Sequence, residues 1–311
     1  MKLYSTILKS LLFIVILYYL FSDIDIKKFL FLLEDYFVIG ILIAMLSVVL
    51  SDIILARRWQ FLSKYSYSFI ASFEVSVISG FLNFILPAKL GEISKLIYLK
   101  RLYNVKFSNS MIVLFIERSM DVFILAIISL IATNLFLDND YIYNISIIII
   151  VFMISGLFIL NTKFFQHILH YIPIRSVKIF LKRSVSNITR QLNLIAILSA
   201  LGYSSLLWLS YFFTVWLFLE FAANIHLLLI DVFIVFTISS IAMSLPLAPG
   251  GVGTYQAGLI FALGLYDIDK EVALAIGIML HIVLLTPSVL LALWVINKKS
   301  VSLEWFKKEK N

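Results

Sequence analysis

Long uninterrupted apolar runs constrain this chain more than any other feature. Six of them, about Leu3–Ser22, Phe37–Ala56, Met111–Phe136, Ile145–Leu160, Leu194–Leu219 and Val272–Ile296, read as full membrane spans. A helix rises 1.5 Å per residue, so about 20 residues cross a hydrocarbon core of roughly 30 Å. Of 311 residues, 62% are hydrophobic and 14% charged. One soluble core cannot hide that much apolar surface. A soluble enzyme is therefore excluded, and so is a disulfide-stapled secreted scaffold, since the chain has no cysteine. The longest polar stretch, about Asn161–Asn193, is too short for a large appended catalytic domain. The first run lacks a small-residue cleavage site and leads through an acidic stretch into the next span, so it reads as a helix rather than a signal peptide.

Two further apolar stretches behave differently. Phe69–Leu86 is followed by Pro87 and Gly91 and then by the semi-polar run Glu92–Tyr103. Leu227–Leu247 is followed by Pro249, Gly250, Gly251 and Gly253 and then by Thr254–Tyr266. Each reads as helix, Pro/Gly break, half-helix. If both are hairpins that enter and leave by one face, 20 of the 25 Lys and Arg residues collect on the side of both termini and 3 on the other. Lys89 and Arg118 are then left at membrane depth. Positive residues stay inside, so this side is expected to be cytoplasmic. Treating Phe69–Leu86 as a full span would strand Lys95, Lys100, Arg101 and Lys106 outside.

The two hairpins also resemble each other. Ile78-Ser79, Leu86-Pro87, Gly91 and Tyr103 recur as Ile238-Ser239, Leu245-Pro246, Gly253 and Tyr266. The expected fold is all-α and integral to the membrane, with six spans and two re-entrant helical hairpins arranged as an inverted repeat. It is a single membrane domain: repeat one about 1–136 with hairpin 69–103, repeat two about 145–296 with hairpin 227–266, and a cytoplasmic tail 297–311. Irregular backbone is tolerated at membrane depth only inside protein or along a wet cavity. Matching breaks in two oppositely oriented halves point to a transporter's binding site. Each tip opens a half-helix whose unpaired N–H groups suit an anion, and Lys89 adds a full charge. The plainer alternative is that Pro-Gly-Gly-Val-Gly is only a turn between helices.

The third span carries Glu117, Arg118 and Asp121. Ionisable groups at membrane depth are expensive and default to pairing and function. Spacings of three and four place the three on one face. Two carboxylates exceed one arginine, which predicts a second cation nearby, with Lys89 as the candidate. The alternative is a purely structural ion pair. Asp52 reads as an interfacial partner of Arg57 or Arg58, and His281 as a packing residue in the last span. No P-loop is present, Asp138-Asn-Asp140 and Asp267-Ile-Asp269 read as solvated caps, and His167 and His170 lack further zinc ligands. Neither metal nor cofactor is expected.

Three motifs in order, Pro87-Ala-Lys89-Leu-Gly91-Glu92-Ile-Ser-Lys95, Glu117-Arg118-Ser-Met-Asp121 and Pro249-Gly-Gly-Val-Gly253-Thr-Tyr-Gln256, resemble the signatures of one family. It is the lysylphosphatidylglycerol synthase transmembrane, or flippase-like, family, and the resemblance covers nearly the whole chain. Two departures stand out: Lys89 and Lys95 replace the family's usual arginines, losing bidentate phosphate geometry, and Gln256 replaces its usual acid. The resemblance implies the translocating half alone, without the synthetase domain, acting on a lipid made elsewhere. The expected activity is translocation of an anionic phospholipid, an aminoacylated phospholipid or a polyprenyl-phosphate glycolipid across the cytoplasmic membrane. Its substrate contacts would be Lys89, Gly91, Glu92, Lys95, Glu117, Arg118, Asp121, Pro249, Gly250, Gly251, Gly253 and Gln256. Expected partners are membrane lipids and a separate lipid-synthesising enzyme, not nucleic acid. Two alternatives stay open: a membrane-embedded transferase using Glu117 or Asp121 as base, and a non-transporting scaffold for an envelope-synthesis enzyme.

Overall fold

The structure, a computed structural model, describes residues 36–64, 67–86, 90–134, 143–151, 171, 194–245 and 247–299. Among these the regular elements are helices: α1 (Val38–Leu62), α2 (Phe69–Ile85), α3 (Gly91–Tyr103), α4 (Phe107–Ala132), α5 (143–151), α6 (Leu194–Phe221), α7 (Leu229–Ser244), α8 (Thr254–Gly264) and α9 (Lys270–Lys299). Three of them, α1, α6 and α9, are long and apolar enough to cross a membrane. The chain is an all-α integral membrane protein. The first expected span, Leu3–Ser22, most of the fourth, the polar stretch 161–193 apart from Tyr171, Lys89, His167, His170 and Asp138–Asp140 lie outside the described residues.

Both Pro/Gly stretches interrupt their helices. The 13-residue α3 and the 11-residue α8 reach only about 20 and 17 Å. Neither half-helix can cross a hydrocarbon core of roughly 30 Å. After α7 a single tight turn, Pro249–Gly251, precedes α8, and Gly250, Gly251 and Gly253 all have positive φ (62°, 75° and 82°). Residues with a Cβ strain there, which is why this turn is glycine-rich.

Element ends differ from expectation at one informative place. Helix α1 continues to Leu62, six residues past the expected end at Ala56. The arginines that signalled a loop are helical, and Arg58 is completely buried. Lys95 is likewise 2% exposed. Neither is the solvated loop charge that the sequence suggests.

The fold comprises two compact units, one of Met1–Ile53, Phe73–Ile97 and Leu209–Asn311, the other of Ile54–Ser72 and Tyr98–Trp208. In the first unit, the beginning of α1 lies against the end of α6. A Cβ on Gly40 would collide with the Phe221 carbonyl, and hydroxyls meet across the seam, Ser47 with Thr214 and Ser51 with Ser210, both at 2.9 Å. Small residues that let backbones approach, with hydroxyl pairs worth about 0.6 to 2 kcal/mol each, are what hold helices together where the hydrophobic effect offers nothing. Helices α2 and α9 run antiparallel, as Glu74 meets Lys299 (3.5 Å), Gly80 meets Ser288, and Phe84 meets His281 (ring centroids 5.9 Å). Helix α8 folds back on α7 so closely that a Cβ on Gly258 would lie 2.6 Å from that of Ala242.

In the second unit, the end of α1, helix α4 and the start of α6 surround a charged core. Trp59 is fully buried, Phe61 stacks near Tyr203 (5.5 Å), and Arg57 lies 4.1 Å over the Phe69 ring.

Candidate functional site

The first candidate lies where the two broken segments meet in the first unit. At the start of α3, the Gly91 carbonyl accepts from the Ser79 hydroxyl (2.9 Å) and from Ser94. A Cβ at Gly91 would strike the Asn83 backbone, so glycine is what lets α3 begin against α2. Asn83 Nδ2 donates to Glu92 Oε1 (2.9 Å), and Lys95 Nζ lies 3.4 Å from Glu92 Oε2. Glu92 and Lys95 therefore form a partly buried ion pair one turn into the half-helix. Pro87, Ala88 and Lys89 lie outside the described residues, so the expected lysine at this tip has no described position.

The second tip is better defined. Gly253 N–H donates to Gln256 Oε1 (2.7 Å), so Gln256 caps the helix it belongs to. Its Nε2 lies 2.9 Å from His281 Nδ1 on α9. Gln256 thus links the tip to α9 through neutral hydrogen bonds. The Phe84 ring, one residue before the end of α2, occupies the space beside Gly250 that a side chain there would need. The two broken segments are therefore in contact, through Phe84 of one and Gly250 of the other.

Asp52 does not pair with an arginine. It accepts from the Ser288 hydroxyl of α9 (2.8 Å). The helix explains this, because residues five or six positions further on project from other faces, whereas partners need a spacing of three or four.

The second candidate is the charged core of the second unit. Arg58 donates from Nη2 to Glu117 Oε1 (2.9 Å) and Asp121 Oδ2 (3.2 Å), and from Nη1 to Asp121 Oδ1 and the Ser204 hydroxyl (3.1 Å). Arg118 Nη2 reaches Asp121 (2.9 Å) and Glu117 (3.5 Å), and Trp208 Nε1 donates to Asp121 (3.3 Å). Glu117 and Arg58 are fully buried, whereas the Arg118 side chain is 40% exposed. Among the described residues, the second cation demanded by the two carboxylates is Arg58; Lys89 lies outside them. Sequence reasoning missed it because an Arg-Arg pair at the end of an apolar run looks like a loop anchor. The signal that could find it is the excess of carboxylates in α4. Two guanidiniums against two carboxylates leave this core formally neutral, which meets the requirement that buried charges be paired.

No group of three or more His, Cys, Asp or Glu side chains able to hold a metal occurs among the described residues. The architecture and these paired membrane charges define an α-helical membrane domain with interrupted helices. Residues 6–292 match the model of the lysylphosphatidylglycerol synthase transmembrane region, and the chain belongs to that family. It is similar to a UPF0104 membrane protein of Methanocaldococcus jannaschii, 30% identical over 222 residues that cover 65% of this chain and 87% of the relative.

Proposed function

We propose that the chain translocates a phosphate-bearing lipid across the cytoplasmic membrane, as a flippase or scramblase. The substrate is an anionic phospholipid, an aminoacylated phospholipid or a polyprenyl-phosphate-linked glycolipid. In this reading six spans and two re-entrant hairpins form an inverted repeat, repeat one about 1–136 and repeat two about 145–296, with both termini cytoplasmic. The observation that carries it is the meeting of the two interrupted segments at Phe84 and Gly250, next to a helix start rich in left-handed glycines. Broken helices in both halves of a membrane domain supply unpaired N–H groups where a head group must cross. Lys89, Gly91, Glu92, Lys95, Pro249, Gly250, Gly251, Gly253 and Gln256 are assigned to that contact. Arg118, partly exposed and held by Glu117 and Asp121, is a further cation available to an anionic head group. Replacing head-group hydration by fixed dipoles lowers the crossing barrier while the acyl chains stay in the bilayer.

The transferase alternative needs a carboxylate presented to substrate. Glu117 is fully buried, and both Glu117 and Asp121 already accept from guanidinium groups. The scaffold alternative predicts that Arg118→Ala leaves function intact. A leaflet-accessibility assay in proteoliposomes across several labelled lipids decides among the three. Faster flipping without chemical change supports translocation, a new covalent product supports a transferase, and neither movement nor binding of any lipid refutes the reading.

A further inference from the structure

One acidic side chain within the first unit has no cation to answer it. Glu117 and Asp121 share two guanidiniums, Glu92 has Lys95, and Glu74 has Lys299. Asp52 lacks such a partner. Among the described residues its one hydrogen bond comes from the Ser288 hydroxyl (2.8 Å), and no Lys, Arg or His pairs with it. Both members of this contact belong to helices long and apolar enough to cross a membrane.

The ionisable groups of the surrounding helices are engaged elsewhere. On α1, Arg57 meets Gln60 and the Phe69 ring, and Arg58 holds the carboxylates of α4. On α9, His281 is bonded to Gln256, Lys298 lies over Trp294 and Lys299 reaches Glu74. On α2, Glu74 is the one ionisable residue, and Gly80 is what stands at the level of Ser288. On α6, which meets the neighbouring Ser51 through Ser210, the first unit has Tyr211 and Glu220, and Glu220 pairs with His226.

An uncompensated charge inside a membrane is expensive, so such a carboxylate holds either a proton or a bound cation. A hard metal ion gathers about six oxygens. One hydroxyl faces Asp52, and the described residues include no cluster of His, Cys, Asp or Glu able to hold a metal. A proton needs only one oxygen. Ser288 occupies Oδ2, which leaves Oδ1 to take it. The contact is also placed to be felt at the broken segments. Ser288 follows Pro287, which has no N–H to give α9, and lies about two turns from His281. His281 is joined to Gln256 at the second tip, and Phe84 packs on both His281 and Gly250.

We propose that Asp52 is a proton-binding site and that lipid movement is coupled to its loading and release. The proton comes from water and binds Oδ1 while Ser288 donates to Oδ2. Its release returns it to water and leaves a carboxylate on the α1–α9 contact. The coupling rests on the lipid-translocation reading, whereas the proton site does not.

The test uses the full chain in liposomes of phosphatidylethanolamine and phosphatidylglycerol. Infrared difference spectra taken as the bulk pH is cycled should contain the C=O stretch of a protonated carboxyl. Asp52→Asn should abolish that band, and Ser288→Ala should move it to higher frequency, because the carbonyl loses its donor. If the asparagine variant fails to fold, Asp52→Glu retains a carboxyl and should shift the band without removing it. In the same vesicles, with the membrane potential clamped, a gradient of about one pH unit should redistribute fluorescent phosphatidylglycerol between leaflets by up to about tenfold for one proton per lipid. Asp52→Asn should lose that response. No band, a band that Asp52→Asn leaves in place, or a band that responds to sodium instead of pH overturns the proton site. Lipid movement that ignores the gradient, or a response that persists in Asp52→Asn, overturns the coupling. A titrating band with no lipid movement in any vesicle refutes translocation and the coupling with it, while the proton site stands.

Discussion

Replacing Arg58 by methionine tests the charged core most directly. Arg58 makes four hydrogen bonds, to Glu117, to both oxygens of Asp121 and to Ser204, and is fully buried. Its loss leaves two carboxylates facing one partly exposed guanidinium and the Trp208 indole N–H. Removing one partner of a buried pair costs about 3–5 kcal/mol, because the remaining charge stays buried without compensation. Total stabilities are about 5–15 kcal/mol, so Arg58→Met should remove about a fifth or more of the unfolding free energy. Arg118→Met, whose side chain is 40% exposed, should cost about 1 kcal/mol or less. Arg57→Met, which loses a cation–π contact at the surface and a hydrogen bond to Gln60, should also cost about 1 kcal/mol. The double variant Arg58→Met/Glu117→Gln should recover much of the loss, since it restores charge balance against Arg118. Denaturation in mixed micelles, followed by tryptophan fluorescence, measures all four. If Arg58→Met and Arg57→Met are equally mild, or if Glu117→Gln adds to the damage instead of offsetting it, the assignment of Arg58 as the compensating cation is wrong.

Two other outcomes are expected. Gly250→Ala combines a φ of 62° with a collision against Phe84, and should destabilise by about 1–2 kcal/mol for the backbone alone. Phe84→Ala should relieve only the steric share of that loss, so full rescue in the same denaturation assay would show that backbone strain is not the cause. The proposed topology is checked by single cysteines, which the cysteine-free chain makes clean. An impermeant thiol reagent applied to intact cells should label Asp269→Cys directly and Lys106→Cys only after permeabilisation. Labelling of both from outside would remove the opposed hairpins.

Three of the spans, the breaks and the demand for a compensating cation were legible in the chain, because each rests on local physics. Apolar length sets a span, Pro and Gly interrupt a helix, and a carboxylate excess at membrane depth requires neutralisation. These arguments located the interruptions after α2 and α7 and the helix start at Thr254. They also singled out Glu117, Arg118 and Asp121. What they could not supply was the identity of partners brought from distant positions. Arg58 lies 59 residues from Glu117, Ser288 lies 236 from Asp52, and His281 lies 25 from Gln256. No spacing rule reaches across such separations, and the electrostatic demand of two carboxylates is met equally well by any cation that packing delivers. Helix faces and close glycine contacts choose that cation, and they make Gln256 a cap that also meets a buried histidine.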